Sequence, residues 1–276
     1  MPGKCLLFFK RSCPNYFDDI QVEYRFLTTE ILTRILGKGL RTIQKQIKAM
    51  VKKGLIITTP RMKISGRGRP ELILSLSPLG QKAILDQRYN NVKLARDYFH
   101  AKGNVEHQLL INNFRTSLNI SVSEDTEVSL NYLSSNPYQR AGGNFTLKEK
   151  FMVGSTQFEF IPDGVFTLSS QKQEKTLLFF LEADMGTEAI RGVGINRNTI
   201  EQKIMNYQLL FAKKLYKRYK SVFATNLTGF RVLIVVNSRE RKELISRFLQ
   251  ISENVGFVKC LEIAPNCHTL DGFPWK

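Results

Sequence analysis

Between Phe158 and Phe211 the chain reads FEFIPDGVFTL (158–168), LLFFLEADMGTE (177–188) and TIEQKIMNYQLLF (199–211). These pieces are expected to form two adjoining strands followed by a helix. The run Leu177–Leu181 is apolar at every position, as suits a strand buried on both faces. Side chains two apart on a strand share a side, so Glu182 and Asp184 are expected to project together from its end. Carboxylates in such a place are costly unless paired or bound to a cation. The same folding brings Asp163 and Lys203 into reach of them. Oxygen ligands in this number suit Mg²⁺ or Mn²⁺, while two solvated acids at a strand end are the simpler alternative.

Pro162-Asp163, Glu182-Ala183-Asp184 and the following Gln202-Lys203 resemble the PD-(D/E)xK nuclease superfamily. The resemblance implies a metal site at Asp163, Glu182 and Asp184. Position 184 holds Asp where the superfamily usually has lysine, and lysine-migrated members suggest Lys203 as its replacement. The catalytic set implied is then Asp163, Glu182 and Lys203. Ile200, Ile204, Tyr207, Phe211 and Leu215 form an apolar stripe on that helix, and Lys203 borders it.

Outward from this stretch, the chain has 276 residues, enough for two ordinary domains. Its formal net charge is +17 and 42% of it is hydrophobic, which fits a globular protein with a polyanionic partner. The charge is uneven. Residues 1–103 hold 20 Lys and Arg against 7 Asp and Glu, and residues 104–276 hold 21 against 17. Cys5, Cys13, Cys260 and Cys267 match no zinc spacing, and free thiols in a reducing compartment are expected. CLLFF is too short for a signal-peptide core and no apolar run approaches a membrane span, so the expected location is the cytoplasm.

Taken in order, residues 1–15 are a basic lead without a motif. An amphipathic pattern follows from Tyr16 to about Leu36, with Thr28 or Thr29 capping its second helix and Gly37 and Gly39 ending it. Leu40, Ile43, Ile47, Met50 and Val51 mark the apolar stripe of a third helix, closed by Gly54. Its opposite face carries Arg41, Lys45, Lys48 and Lys52. Such a face can enter a major groove roughly 12 Å wide, although a solvated basic face is the plain alternative. Then come a strand, the turn Gly66-Arg67-Gly68-Arg69-Pro70, a strand alternating at Leu72, Leu74 and Leu76, and a helix start at Pro78.

Three helices and a basic hairpin resemble a winged helix-turn-helix. The resemblance implies a recognition helix at 40–53 and a wing at 58–75, with Arg67 and Arg69 on DNA backbone or minor groove. GRGRP is also similar to the core of an AT-hook, whose arginines enter the A·T minor groove, but a hairpin turn rich in Gly and Arg, the wing, is the simpler explanation.

A polar helix from Gly80 to His100 is expected to link the domains, and Asn104 to cap the helix after it. In the nuclease superfamily the first core helix often supplies an acid, which implies Glu106 as a further metal ligand; a favourable charge at a helix N-terminus accounts for it equally. His107 is expected to pack or hydrogen-bond. EVSLNYL reads as a weak strand and SSNPYQRAGGN as an exposed loop; its Tyr138 and Arg140 could touch nucleic acid, although an ordinary loop is the simpler reading. The G-x-G at 192–194 lacks the strand–loop–helix context of a nucleotide loop. Arg191 and Arg197 flank it, where they could hold a DNA backbone. A long helix over 199–220, a buried strand FRVLIVVNS, a helix RKELISRFLQISEN and a last strand FVKCLEIA complete a mixed α/β pattern.

The whole arrangement resembles the replication-relaxation family of plasmids and other mobile elements. The expected organisation is a winged helix-turn-helix at 1–80, a helical linker at 81–103 and a restriction-endonuclease-like mixed-sheet core at 104–276. The resemblance implies a protein that binds double-stranded DNA in replication, relaxation or their control. A homodimer and replication or mobilisation proteins are further candidate partners, and no membrane partner is expected. Two functions stay open: a DNA-binding protein whose second domain is a scaffold, and an endonuclease dependent on Mg²⁺ or Mn²⁺.

Overall fold

A computed structural model of the protein describes residues 24–61, 71–88, 105–134, 147–192, 199–253 and 255–263. The described residues divide into two compact units, one running to Ile120 and one starting at Ser121.

The first unit begins with strand β1 (Leu27–Thr28) and helices α1 (Thr29–Leu36) and α2 (Leu40–Lys52). Strands β2 (Ile56–Pro60) and β3 (Leu72–Leu76) and helix α3 (Pro78–Arg88) follow. The sheet is antiparallel in the order β1-β3-β2, with Leu27 opposite Leu74 and Ile56 opposite Leu76. Local chemistry fixes the ends. The Thr28 hydroxyl accepts from the Ile31 amide at 3.3 Å and starts α1. Gly37, at φ 59°, ends it in the left-handed conformation that glycine adopts without strain.

On α2, Ile43 and Ile47 are buried and Met50 packs at the edge of the core, but Leu40 and Val51 are exposed. Those two sit on the shoulder of the stripe at the helix ends. Ser77 donates to the Gly54 carbonyl and accepts from the Gly80 amide, joining α3 to the loop after α2.

Helix α4 (Val105–Ser123) packs in the same unit up to Ile120, although the sequence reading gives it to the second domain. Val105 and Leu109 share a core with Phe26, Ile31, Leu32, Ile43 and Leu74. The Asn112 amide donates to the carbonyls of Tyr24 and Phe26 at 2.9 and 2.6 Å. Such bonds satisfy backbone acceptors just before β1, of which the Tyr24 carbonyl also accepts from the Phe26 amide at 2.7 Å.

The second unit holds strands β4 (Val128–Ser134), β5 (Glu149–Val153), β6 (Thr156–Phe160), β7 (Gly164–Ser170) and β8 (Lys175–Asp184). After these come α5 (Ile200–Ala212), a 3-10 turn (Leu215–Arg218), α6 (Tyr219–Phe223), β9 (Phe230–Val236), α7 (Arg239–Ile251) and β10 (Val258–Glu262). The main sheet has the order β10-β9-β8-β7-β4, while β5 and β6 form a separate hairpin. Strands β4, β7 and β8 pair antiparallel, and β8, β9 and β10 pair parallel. Helical connections join the parallel strands, as the short-range geometry of parallel pairs requires.

Leu178, Phe180, Val232, Ile234 and Val236 of the sheet share a core with Ile200, Ile204 and Tyr207 of α5 and with Ile245 and Phe248 of α7. Phe166, Leu168, Phe179 and Leu181 are buried on the opposite face, so β8 is covered on both sides as its sequence implies.

Two elements differ from the sequence reading. FEFIPDGVFTL is divided, with β6 ending at Phe160 and β7 starting at Gly164. A Cβ on Gly164 would stand 2.3 Å from the Tyr132 hydroxyl, so β7 begins where the backbone passes close to that ring. The helix expected over 199–220 ends at Ala212, and Lys214 is left-handed at φ 55°. Tyr216 lies nine residues, two and a half turns, after Tyr207 and would face away from it in one unbroken helix. Both tyrosines are buried in the same core, which requires the break.

Candidate functional site

The end of β8 carries Glu182 and Asp184, 5% and 1% exposed, on the face covered by α5 and α7. Their shared side was legible in the period of the strand, but each has its own helix. Glu182 receives a hydrogen bond from the Tyr207 hydroxyl at 2.5 Å and an ion pair from Lys203 at 3.3 Å, both from α5. Lys203 also meets Glu188 at 2.9 Å. Asp184 is paired with Arg241 of α7, and its other oxygen accepts from the Gly186 amide at 3.0 Å. Arg241 donates in addition to the Glu188 carbonyl at 2.6 Å. Asp163, in the turn before β7, accepts from the Ala183 amide at 2.8 Å, so it is tied to the backbone between the two β8 acids.

Burial pushes the Glu182 carboxyl up to about 7. Lys203 pulls it down, the Asp163 charge pushes it up, and the Tyr207 hydrogen bond pulls it down. For Lys203 burial works against the charge, yet Glu182, Glu188 and Asp163 outweigh it and hold the ammonium above its ordinary value. Tyr207 is driven well above the usual phenol range, first by burial and then by Glu182. Its hydroxyl therefore stays protonated and donates.

Asp163, Glu182 and Lys203 are thus brought together. As arranged they do not fit a divalent cation. Both Glu182 oxygens and both Asp184 oxygens are taken by the chain's own donors. Among the described residues, no three His, Cys, Asp or Glu side chains group so as to hold a metal ion. Glu106 belongs to the first unit, where both its oxygens meet Arg61, which also pairs with Glu71 at 2.8 Å. That pairing fastens α4 to the residue after β2 and the residue before β3.

Sequence reasoning missed Arg241 and Tyr207 as partners of the acids. For Tyr207 a signal existed: it lies four residues after Lys203, so both occupy one face of α5. Arg241 had none, because its role depends on α7 packing beside β8.

The second candidate surface is α2. Arg41, Lys45, Lys48 and Lys52 are all exposed, on the side of the helix away from buried Ile43 and Ile47. The helix has no acid in its first turn. Arg67 and Arg69, with the whole GRGRP turn, and Arg197 lie outside the described residues. Arg191 is exposed, 3.6 Å from Glu201 and with its guanidinium 5.1 Å from the Phe248 ring centre. None of the described helices is long and apolar enough to cross a membrane.

Comparisons with known proteins bear on both surfaces. No curated protein and no solved structure matches the chain. A family model described as replication-relaxation matches residues 22–225, which takes in α1, α2, β2, β3, the strand-end acids and Lys203. Such a match spans well over half of the sequence and points to a role in replication or relaxation. The chain belongs to the replication-relaxation family.

Proposed function

We propose that this chain is a duplex-DNA-binding protein acting in replication or its control, with a first unit that works as a winged helix-turn-helix. The observation that carries the reading is the α2 surface: four exposed cations on one face, two isoleucines buried on the other, and an antiparallel β2–β3 pair immediately after. In that reading α2 lies in the major groove, and the β2–β3 hairpin, with Arg67 and Arg69, is the wing. The second unit is a nuclease-like scaffold, its strand-end acids neutralised by Lys203 and Arg241. The DNA belongs to a plasmid or another mobile element, and the protein acts as a monomer or homodimer beside other replication or mobilisation proteins.

The test is duplex binding by the full chain with Arg41, Lys45, Lys48 and Lys52 changed to Gln. Loss of affinity, with a flatter dependence on salt, supports the reading. Unchanged binding by a folded variant rejects it.

One observation favours a second reading, an endonuclease dependent on Mg²⁺ or Mn²⁺. Asp163, Glu182 and Lys203 share the end of β8, as the nuclease resemblance implies. It requires Asp184 to leave Arg241, and Glu182 to leave Tyr207 or Lys203. Plasmid nicking by the parent with either metal, silenced by Asp163→Ala and Lys203→Ala in folded protein, would establish it. Tight plasmid binding without any cleavage would eliminate it.

A further inference from the structure

The second unit carries a cationic surface that neither candidate site uses. From Gln202 to Arg239 the chain has no Asp or Glu and eight Lys and Arg, of which Lys203 alone belongs to the strand-end site. Residues 104–276 hold 21 Lys and Arg against 17 acids, so without this stretch they would hold 13 against 17 and be net negative. Five of the eight cations fall within Lys213-Lys214-Leu215-Tyr216-Lys217-Arg218-Tyr219-Lys220.

The backbone after α5 sorts this segment into an inside and an outside. Tyr216 and Tyr219 are buried, whereas Lys213, Lys214, Lys217, Arg218 and Lys220 are all exposed. Both tyrosines are fixed at their hydroxyls. Tyr216 donates to the Thr228 carbonyl at 3.0 Å, and Tyr219 donates to the buried carboxylate of Glu149 at 2.6 Å. Lys214 and Ala224 adopt left-handed backbone at φ 55° and 50°, so the segment turns sharply at each end. Its cations therefore stand on an anchored base and not on a solvated tail. Arg218 is partly engaged, 3.2 Å from Glu149. Among the described residues the four lysines have no ion-pair partner. Two of them, Lys217 and Lys220, line a shallow, open cleft of about 490 Å³ together with Arg218, Ser221, Ala224, Thr225 and Asn226.

Cations flanked by hydroxyl and amide donors are the groups that hold phosphate and sugar oxygens of a nucleic-acid backbone. Like charges this close repel one another, and a polyanion relieves the repulsion. We propose that Lys213, Lys214, Lys217 and Lys220, with the adjoining cleft, form a second DNA-binding surface that holds the phosphate backbone without reading sequence. The proposal rests on the reading of the chain as a DNA-binding protein, and it adds an attachment made by the second unit.

The experiment uses the full chain with all four lysines changed to Gln, a charge-conserving partner with all four changed to Arg, and the α2 glutamine variant. Duplex binding is followed by fluorescence anisotropy between about 50 and 200 mM salt. The lysine-to-glutamine variant should bind more weakly on any duplex sequence. Its plot of log affinity against log salt should be shallower by about 0.9 for each phosphate it no longer neutralises. The arginine variant should keep the parent slope. An unchanged slope in a glutamine variant that melts like the parent overturns the proposal, whatever the α2 variant does. Lysine-dependent binding to anionic phospholipid vesicles, with DNA binding unaltered, also overturns it, in favour of a lipid surface. A parent that binds no duplex at all rejects the DNA-binding reading itself.

Discussion

Glu182 is a carboxyl taken out of water at the end of an apolar strand, and its protonation is therefore coupled to folding. Its folded-state value, pushed up to about 7 from 4.5, means that the native chain binds this proton more tightly than the unfolded one. The stabilisation from this group is fully present below about pH 4.5 and is lost as pH rises through 7. Across that window the loss is on the order of 3 kcal/mol at most. Urea unfolding at a series of pH values should show stability falling from pH 5 to 8, and Glu182→Gln should flatten much of that fall. Burial also raises Glu149, which leaves a residual slope of the same sign. An equally steep profile in the variant would show that Glu182 does not titrate there. Asp184 calls for a different test, since Arg241 is its counter-charge at a nearly inaccessible place. Arg241→Leu strands a buried carboxylate and should cost about 3–5 kcal/mol. Adding Asp184→Leu should recover most of that loss, because two apolar side chains replace the pair. A double variant as unstable as the single one would mean that Asp184 matters in some other way. The position of both acids on one side of β8 could be read from the strand period. That Asp184 belongs to Arg241 could not, because residues 57 apart in the chain are joined only by the docking of α7.

Elements were most legible where local chemistry decides them. Thr28, Gly37, Gly39, Gly54 and Pro78 punctuate the first unit at the places their conformational preferences imply. Strands β8 and β9 follow from runs too apolar for any surface. The breaks inside the longer patterns were less legible. The division of FEFIPDGVFTL depends on β6 pairing with β5 while β7 joins the main sheet, and the end of α5 depends on which core Tyr216 enters. Neither is a matter of propensity. The step Ser77-Pro78-Leu79-Gly80 offers the sharpest test of an element junction. A Cβ on Gly80 would lie 2.1 Å from the Leu55 carbonyl oxygen, which is backbone and cannot rotate away. Gly80→Ala should therefore force α3 from the loop after α2 and destabilise the first unit by roughly 1–3 kcal/mol, despite alanine's better helix propensity. Thermal melting that is unchanged or improved in this variant would contradict this packing of α3.

For the molecule as a whole, charge and connectivity divide the work. The first unit combines a compact core with an outward basic helix, and it lies in the segment that carries most of the net charge. The second unit is a covered mixed sheet with internally neutralised acids, and its positive excess comes from one acid-free stretch. The charge asymmetry and the order of elements were both legible in the sequence, and so was the family. The helix over 105–123 was harder to assign. Its first turn was expected to open the second domain, while Asn112 and Glu106 bond to residues of the first unit. A helix of mixed polarity can pack in more than one setting, and only long-range partners decide between them. The most direct test of the central claim is the affinity of the full chain for duplex DNA as a function of salt, parent against the α2 variant with Arg41, Lys45, Lys48 and Lys52 changed to Gln. The expected result is weaker binding at every salt concentration, with the log–log slope shallower by about 0.9 for each phosphate left without its cation. A folded variant that keeps both the parent affinity and the parent slope would contradict the account.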